Sequence, residues 1–429
     1  MRKHKIKSNM IIRAFKTAAV LVVVMILTGC ANLLEDYKLS ITDHVSAPYV
    51  RPPVEQITVS EYDEFVTVIL VNILEYETDI QLLYYHRDGS DINTDIQRAR
   101  NTILYEHPIG AFAVAEITVN TTRIVTHYEV DIEIEYKRTR EQLESIVNVS
   151  TDQALRMQIF RKMSEYAEVA VLRTRLQLTE EVIARLVRET YYQNPRRIVM
   201  LPMVTIETFP EEGSDRIYEI QFGNIENPTM LQRFGELLSL YVQQNAELAV
   251  GDTESEVVLS LVNSLIESTA FDDAAARTIH VHGPQNLAAT AVGALVRGNA
   301  VGEGFAMAFK ALADELGIEC RVVLGDFDGI VHAWNIVSLY GDFYHIDVAM
   351  CRVLGIQTSF LKTDADFEEM LYVWDRDNTV RCEGTLTLDD ILGDNDPDEG
   401  DENGDENGDE NDGLNEEEDY VYERRKGVL

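Results

Sequence analysis

The chain has few basic residues, few cysteines and no apolar run long enough to span a bilayer comfortably, and each shortage excludes a class of protein. Its 429 residues include 37 Lys and Arg against 74 Asp and Glu, a formal net charge of −37. A nucleic acid needs a basic face for its phosphates, so we expect no nucleic-acid partner. Four cysteines do not make a disulfide scaffold in so long a chain. Because 45% of the residues are hydrophobic, wholesale disorder is excluded too.

The first thirty residues have the pattern of an export signal. Residues 1–16 carry six basic side chains and no acid, and residues 17–27 form a short apolar run. The run ends in Leu27-Thr28-Gly29-Cys30, which resembles the lipobox of bacterial lipoproteins. The resemblance implies that residues 1–29 are removed and that the Cys30 sulfur carries a diacylglyceryl thioether. An ordinary signal peptide with a chance cysteine is the alternative.

The lipid would hold the protein at the outer face of the bacterial cytoplasmic membrane, on the extracellular side. Residues 30–56 contain three prolines and no clear periodicity, so we interpret them as a spacer that separates the folded part from the membrane.

Residues 57–227 have the pattern of two copies of one small α+β unit, at 57–138 and 139–227. The elements in each copy are predicted in the order α-β-α-β-β. A helix in each copy stops just before a proline, Pro108 in the first and Pro195 in the second, because proline disfavours helix at the preceding residue. The sequence of this half shows no Cys/His cluster, phosphate loop or nucleophile motif. We therefore predict spacer or recognition domains here.

The strands of these units are predicted from their apolar patterns. In the first unit, residues 112–119 are predicted as a strand, and residues 128–136 alternate apolar and acidic side chains. Such alternation is typical of a sheet with one buried and one solvated face. Residues 228–284 carry leucines at helical spacing and are predicted to form a helical connector.

A predicted β-hairpin in the following segment carries a histidine and an aspartate. Strands at residues 332–339 and 342–349 are joined by a two-residue turn at 340–341. In this register His332 and Asp347 are diagonal neighbours on one face, with Cβ atoms roughly 7 Å apart, which permits a hydrogen bond. A carboxylate on one imidazole nitrogen fixes the tautomer and raises the basicity of the ring. The pair by itself is weak evidence of catalysis, and a purely structural role explains it better.

Several motifs in residues 285–388 together resemble the transglutaminase-like superfamily. In chain order they are Thr290 to Phe305 (TAVGALVRGNAVGEGF), Gly317-Ile318, His332-Ala333-Trp334-Asn335, Tyr344-His345-Ile346-Asp347, residues 360–364 (FLKTD), Trp374-Asp375 and Cys382. The resemblance implies a papain-like fold, in which a helix with a cysteine at its N-terminus packs on an antiparallel sheet that carries histidine and aspartate. It also implies thiol acyl transfer, as a transglutaminase, peptidase or amidase, with His332 as base and Asp347 as the residue that orients it.

The sequence departs from the family pattern at the nucleophile. Where the family has Val-Cys-Glu-Gly, this chain has Val301-Gly302-Glu303-Gly304. Gly302 has no side chain with which to attack a carbonyl, whereas the chemistry needs a thiolate at the start of the helix. Cys320 is expected to be an inert core residue. Cys351, four residues beyond Asp347, is the one surrogate thiol that the predicted hairpin brings near His332.

The sequence therefore predicts a noncatalytic module that binds or scaffolds cell-wall or envelope protein or peptide. Its residual cleft would contain His332, Trp334 and Asp347, and no cofactor or metal is expected there. The alternative is an active cysteine-type transglutaminase or peptidase that acts through Cys351 or a rearranged site.

The C-terminal residues 389–429 are predicted to be a disordered acidic tail. Residues 389–419 contain 17 Asp and Glu and no Lys or Arg, so they repel one another and cannot bury a core. Weak calcium binding to this tail is a further possibility, and it would make the protein a cation-responsive surface protein.

Overall fold

The structure is a computed structural model and describes residues 57–85, 91–224, 226–282 and 286–393, apart from the side chains of 279–282. The predicted signal peptide, Cys30, the spacer and residues 394–429 of the predicted tail lie outside the described residues. Within the described ranges, no helix combines the length and the hydropathy needed to cross a membrane.

The first α+β unit is a four-stranded sheet with helices packed against its apolar face. Its elements are β1 (Ile57–Val59), α1 (Tyr62–Leu74), β2 (Asp79–Tyr84), α2 (Ile92–Asn101), a π-helical turn (Thr102–Glu106), α3 (Pro108–Ala113), β3 (Val114–Arg123) and β4 (Tyr128–Tyr136). The strand order is β1-β2-β4-β3, and only the β1–β2 pair is parallel. In β4, Val130, Ile132 and Ile134 are buried while the acidic residues between them are exposed, as their alternation predicts.

The second unit has the same arrangement of strands. Its elements are α4 (Arg140–Glu144), β5 (Val147–Val149), α5 (Asp152–Ser164), β6 (Val169–Thr174), α6 (Glu180–Gln193), β7 (Met203–Phe209) and β8 (Arg216–Gly223). The order β5-β6-β8-β7, with β5 parallel to β6, matches that of the first sheet. Each unit thus has a three-residue strand, β1 or β5, that the predicted order α-β-α-β-β lacks, and in the second unit the short helix α4 precedes it.

One element of the first unit differs from its prediction. The run predicted as a strand at 112–119 begins with the end of α3, and β3 starts only at Val114. Pro108 occupies the first helical position, where its fixed φ favours a helix and its missing N–H costs nothing. All six residues of α3 are buried, so its apolar composition reflects burial rather than strand geometry.

The C-terminal part of the described chain surrounds a third four-stranded sheet. Its elements are α7 (Pro228–Leu248), α8 (Glu254–Ser268), β9 (Ala270–Phe271), α9 (Asp273–His282), a 3₁₀ turn (Leu287–Ala289), α10 (Ala291–Leu295), β10 (Asn299–Ala300), α11 (Gly302–Leu316), β11 (Cys320–Phe327), β12 (Ile330–Leu339), β13 (Asp342–Ile346), α12 (Val348–Leu354), α13 (Ile356–Ser359), α14 (Asp364–Glu369), β14 (Tyr372–Trp374) and α15 (Leu388–Leu392). The sheet is antiparallel, in the order β13-β12-β11-β14.

The predicted hairpin is present, and its second strand is shorter than expected. Leu339 pairs with Asp342, and Tyr340 and Gly341 both have positive φ, 56° and 98°, as a two-residue hairpin turn requires. The strand predicted to run to residue 349 ends at Ile346, because the next residue, Asp347, caps the N-terminus of α12.

Two large hydrophobic cores, and a small cluster around Ala289 and Val301, hold the described chain together. One belongs to the first unit and also receives Val171 and Ile217 from the second sheet. The other is continuous through the second unit, the helices α7 and α8, and the C-terminal sheet. The predicted helical connector is therefore part of a core, since α7 and α8 both pack on α11. The domain boundaries derived from the sequence stay predictions.

The first residues of the predicted acidic tail, 389–392, are part of a helix. Helix α15 covers Leu388–Leu392, and Thr387 and Asp390 cap it reciprocally, each accepting a hydrogen bond from the backbone of the other. The first acidic residues of the predicted tail are thus helical.

Candidate functional site

The N-terminus of α11 lies against the imidazole of His332. Phe305, Phe309 and Leu312 are fully buried and fix this helix on the sheet that carries His332. A β-carbon on Gly302, the first helical residue, would lie 2.3 Å from Cε1 and 2.6 Å from Nδ1 of the imidazole. Real β-carbons do not approach so closely, so only glycine fits here with the ring in this position.

The other side of the imidazole is held by a carboxylate. Nε2 of His332 lies 2.5 Å from Oδ2 of Asp347, and the hydroxyl of Tyr372 donates to the same oxygen at 2.7 Å. The backbone N–H of Met350 donates to Oδ1 at 3.0 Å, which makes Asp347 the N-cap of α12. The structure thus brings His332 and Asp347 together, with Nδ1 facing Gly302 and Nε2 facing the carboxylate.

This group of side chains is closed to solvent. Asp347 is fully buried and only 8% of the His332 side chain is exposed. Trp334, predicted as a binding residue in a residual cleft, is also fully buried, so its ring cannot contact a ligand from solvent. Tyr372 was not predicted from the sequence; it comes from β14, 25 residues beyond Asp347, and no local spacing links the two.

Trp334 connects the site to a second His–Asp pair. Its indole N–H donates to Nδ1 of His345 at 3.0 Å, and Nε2 of His345 lies 2.9 Å from Oδ1 of Asp364. Because Nδ1 accepts a hydrogen bond, the proton of the neutral ring is on Nε2 and points at the carboxylate. The Cys382 sulfur lies in the same cluster, with one ligand atom each from His345, Asp364 and Cys382 within 4.8 Å of one another.

A metal at this cluster would need a lone pair on Nε2 of His345. Because the indole N–H of Trp334 donates to Nδ1, the ring proton is on Nε2, and Nε2 has no lone pair to offer. Burial lowers the pKa of His345, and burial together with the Asp364 carboxylate raises that of Cys382. The donor set therefore suits a buried hydrogen-bond network better than a cation.

The thiols of the described residues are protonated at neutral pH. Cys320, Cys351 and Cys382 are buried and form no disulfide. Burial raises the pKa of Cys320 to about 12. Burial and the nearby Asp347 carboxylate raise the pKa of Cys351 well above its usual value. Cys320 is thus the buried residue that the sequence predicts.

Cys351 does not have the setting of a surrogate nucleophile. It lies within α12 rather than at the end of a strand, and its sulfur contacts the carbonyl oxygen of Ile356 at 3.8 Å. A nucleophilic thiol needs partial exposure and a lowered pKa, and Cys351 has neither.

Glu303, next to Gly302, joins the site to the second α+β unit. The hydroxyl of Tyr192 on α6 donates to Oε1 of Glu303 at 2.7 Å. Burial raises the pKa of Glu303 to about 7, although the hydrogen bond from Tyr192 acts in the opposite direction. Farther along α11, Arg196 and Glu315 form an ion pair across the same contact.

Comparison with known proteins gives only remote likeness. No family model matches the chain, and no curated protein matches it. Solved structures that resemble it include a TGase (15% identity, 51% of this chain and 60% of that chain, TM-score 0.25), a candidate cysteine protease from Cytophaga hutchinsonii (12%, 37% and 66%, 0.22) and a candidate protease from Parabacteroides distasonis (6%, 62% and 40%, 0.12).

The chain covers about three fifths of the length of the TGase and slightly less than two thirds of that of the Cytophaga protein. Likeness at this level assigns no activity to this chain, so the function is argued from the geometry of its own residues.

Proposed function

We propose that this protein is an inactive relative of transglutaminase-like enzymes that serves as a binding or scaffolding module at the cell envelope. One observation carries the proposal: the imidazole that would activate a thiol occupies the space of the side chain it would activate. A β-carbon added at residue 302 would lie 2.3 Å from Cε1 of His332, so it fits only if the imidazole ring moves. The site has therefore closed around the glycine instead of keeping a gap where a cysteine would fit.

The retained His–Asp pair has a structural role in this proposal. Asp347 accepts from His332, Tyr372 and the backbone of Met350, so it ties β12, β14 and the start of α12 together. A buried carboxylate that accepts several hydrogen bonds is stabilising when all are made and costly when one is lost.

The cellular location is proposed from the sequence. The basic N-terminus, the apolar run and Cys30 support export and lipidation, with the folded part outside the cytoplasmic membrane. Cell-wall or envelope protein and peptide are the partners that such a location makes accessible.

A turnover assay tests the absence of catalysis. The purified full-length protein is incubated with protein acyl donors and a biotinylated primary amine, and separately with amide and ester substrates. We expect product formation equal to that of the His332→Ala variant and to the background without protein. Product that depends on His332 would replace the proposal with its alternative, an active acyl transferase or peptidase with a surrogate thiol.

A further inference from the structure

The hairpin that joins β3 to β4 ends in an apolar tip, residues 124–127. The backbone N–H of Ile124 donates to the carbonyl of His127 at 2.9 Å, which leaves Val125 and Thr126 as a two-residue loop. Val125 is 99% exposed and Ile124 is 37% exposed. Such loops favour glycine, asparagine, aspartate and serine. The geometry of the turn therefore does not account for a fully exposed valine at its apex.

The corresponding hairpin of the second unit has a tip of different chemistry. Residues 210–215, between β7 and β8, have the sequence Pro-Glu-Glu-Gly-Ser-Asp, an ordinary polar turn with three acids. In the first unit, residues 117–128 contain no Asp or Glu, although 74 of the 429 residues of the chain are acidic. Because the two units share one strand order, the fold itself does not require an apolar tip without acids.

The side chains beside the tip suit the boundary between water and lipid. Tyr85 is 36% exposed, and its ring lies against the imidazole of His127 at 5.1 Å between centroids. Tyrosine is enriched at the level of the lipid headgroups. Arg123, the last residue of β3, is exposed, and a guanidinium binds phosphate groups such as those of phospholipids. The tip thus combines exposed aliphatic side chains with an aromatic and a cationic neighbour.

The chain enters the first sheet close to this tip. Tyr128 pairs with both Tyr84 and Arg123 in the row of the sheet nearest the tip. Val59, the last residue of β1, pairs with Tyr84 and belongs to the same row. Ile57, the first residue of β1, is two rows farther back, about 7 Å along the strand. The predicted spacer therefore joins the sheet near the end that carries the tip.

We propose that this tip inserts into the headgroup region of the membrane that anchors the protein. The inference rests on the proposed location, and it adds a second membrane contact to the lipid on Cys30. Interfacial segments bury their apolar side chains about 5–10 Å into the headgroup boundary. Two aliphatic side chains bind a membrane weakly by themselves. The anchor makes their insertion an intramolecular step, which raises the effective concentration of lipid at the tip.

Acidic side chains near the tip limit how deeply it inserts. Glu129 is exposed on the solvent face of the sheet, one row behind the row nearest the tip. Glu61 is exposed and follows β1 by two residues. Moving unpaired carboxylates out of water is costly. Insertion is therefore confined to residues 124–127, and the rest of the sheet stays in water.

Tryptophan quenching by brominated lipid tests the insertion with the full-length protein in phosphatidylcholine vesicles whose acyl chains carry bromine. Thr126→Trp puts the reporter on the tip, and Glu212→Trp, on the exposed tip of the second unit, is its control. The wild type, with Trp334 and Trp374, gives the baseline. We expect the emission added by Thr126→Trp to fall about twofold and that added by Glu212→Trp to stay unchanged. Equal quenching of the two reporters, or of neither, would overturn the inference.

Two variants at Val125, made in the Thr126→Trp background, test whether the apolar side chain drives the insertion. Val125→Asp places a charge at the apex, whereas Val125→Ile keeps an aliphatic side chain. Because Val125 is 99% exposed, neither substitution disturbs a packed core. We expect quenching to be lost with aspartate and kept with isoleucine. Quenching that survives Val125→Asp would contradict the proposal.

Flotation of the same vesicles separates this inference from the proposed location. Protein that floats without quenching of the Thr126→Trp reporter removes the inserted tip and leaves the anchor and the absence of catalysis untouched. Protein that does not float removes both the anchor and the tip. Turnover that depends on His332 removes the inactive assignment and has no bearing on the tip.

Discussion

A β-carbon on Gly302 would lie 2.3 Å from Cε1 of His332, so the glycine and the imidazole share one space. The ring is fixed from the other side by Asp347 and is surrounded by aromatic residues, with centroid distances of 6.0 Å to Phe327 and 6.2 Å to Tyr372. The glycine at residue 302 and the position of the His332 ring therefore depend on each other.

Gly302→Ala is expected to destabilise the protein by about 1–3 kcal/mol, the usual cost of overpacking a well-packed site. The added methyl group must displace the imidazole and strain its contact with Asp347. In a His332→Ala background the ring is gone, so the same substitution should cost nothing or stabilise the helix slightly. Urea unfolding of the four proteins measures the coupling; an equal cost in both backgrounds would show that the two residues do not compete for space.

Tyr372→Phe should lower the free energy of unfolding by about 1–2 kcal/mol, because it leaves the buried Asp347 with one hydrogen bond fewer. The ring itself keeps its stacking on Phe367, at 4.0 Å between centroids. Tyr340→Phe is the control, since Tyr340 is 63% exposed and its bond to Ser255 is replaceable by water. Equal small losses in the two variants would mean that the Tyr372 hydroxyl contributes nothing specific.

Glu303 should make stability depend on pH near neutrality. Its pKa is raised from 4.5 to about 7 in the folded state, so the folded state binds the proton more tightly than the unfolded chain does. The stabilisation is fully present below about pH 4.5 and is lost as the pH rises to about 7, by up to about 3 kcal/mol. Glu303→Gln should remove this loss, so that its stability relative to the wild type increases over that range.

Tyr192→Phe is the companion variant for this pH dependence. It removes the hydrogen bond that lowers the pKa of Glu303 in the folded state. The upper end of the pH range over which stability is lost should therefore move to a higher pH. Urea unfolding at intervals between about pH 4 and about pH 9 gives both results. A difference between Glu303→Gln and the wild type that is independent of pH would exclude Glu303 as the titrating group.

Cys30→Ala should release the protein from the membrane. Cys30 lies outside the described residues, so this prediction depends on the lipobox resemblance alone. Fractionation of cells that express each form, with metabolic labelling by a radioactive fatty acid, measures both anchoring and lipidation. A Cys30→Ala protein that remains in the membrane fraction would refute the anchor.

The local parts of the site were predictable from the sequence, and the contacts between distant segments were not. Strand alternation and the two-residue turn predict the register in which Leu339 faces Asp342, and this register places His332 near Asp347. The helix that follows Asp347 was also predictable, because aspartate is a common N-cap residue. The prediction of a strand that runs to residue 349 did not take this signal into account.

Contacts between distant segments had no such signal. Tyr372 reaches Asp347 from β14, and Tyr192 reaches Glu303 across 111 residues of chain, so neither follows from periodicity or spacing. The close approach of the His332 ring to Gly302 is likewise a consequence of packing. Trp334 is buried by aromatic residues that come from other elements of the fold. The sequence alone therefore could not show that its ring is inaccessible to a ligand.

The most direct test of the central claim, that no nucleophile serves the His332–Asp347 pair, is the alkylation rate of each cysteine in the native full-length protein, followed by peptide mass spectrometry near neutral pH. The account predicts that Cys320, Cys351 and Cys382 are labelled only on unfolding, because burial raises the pKa of all three. Rapid labelling of Cys351 in the wild type, abolished by His332→Ala, would contradict it.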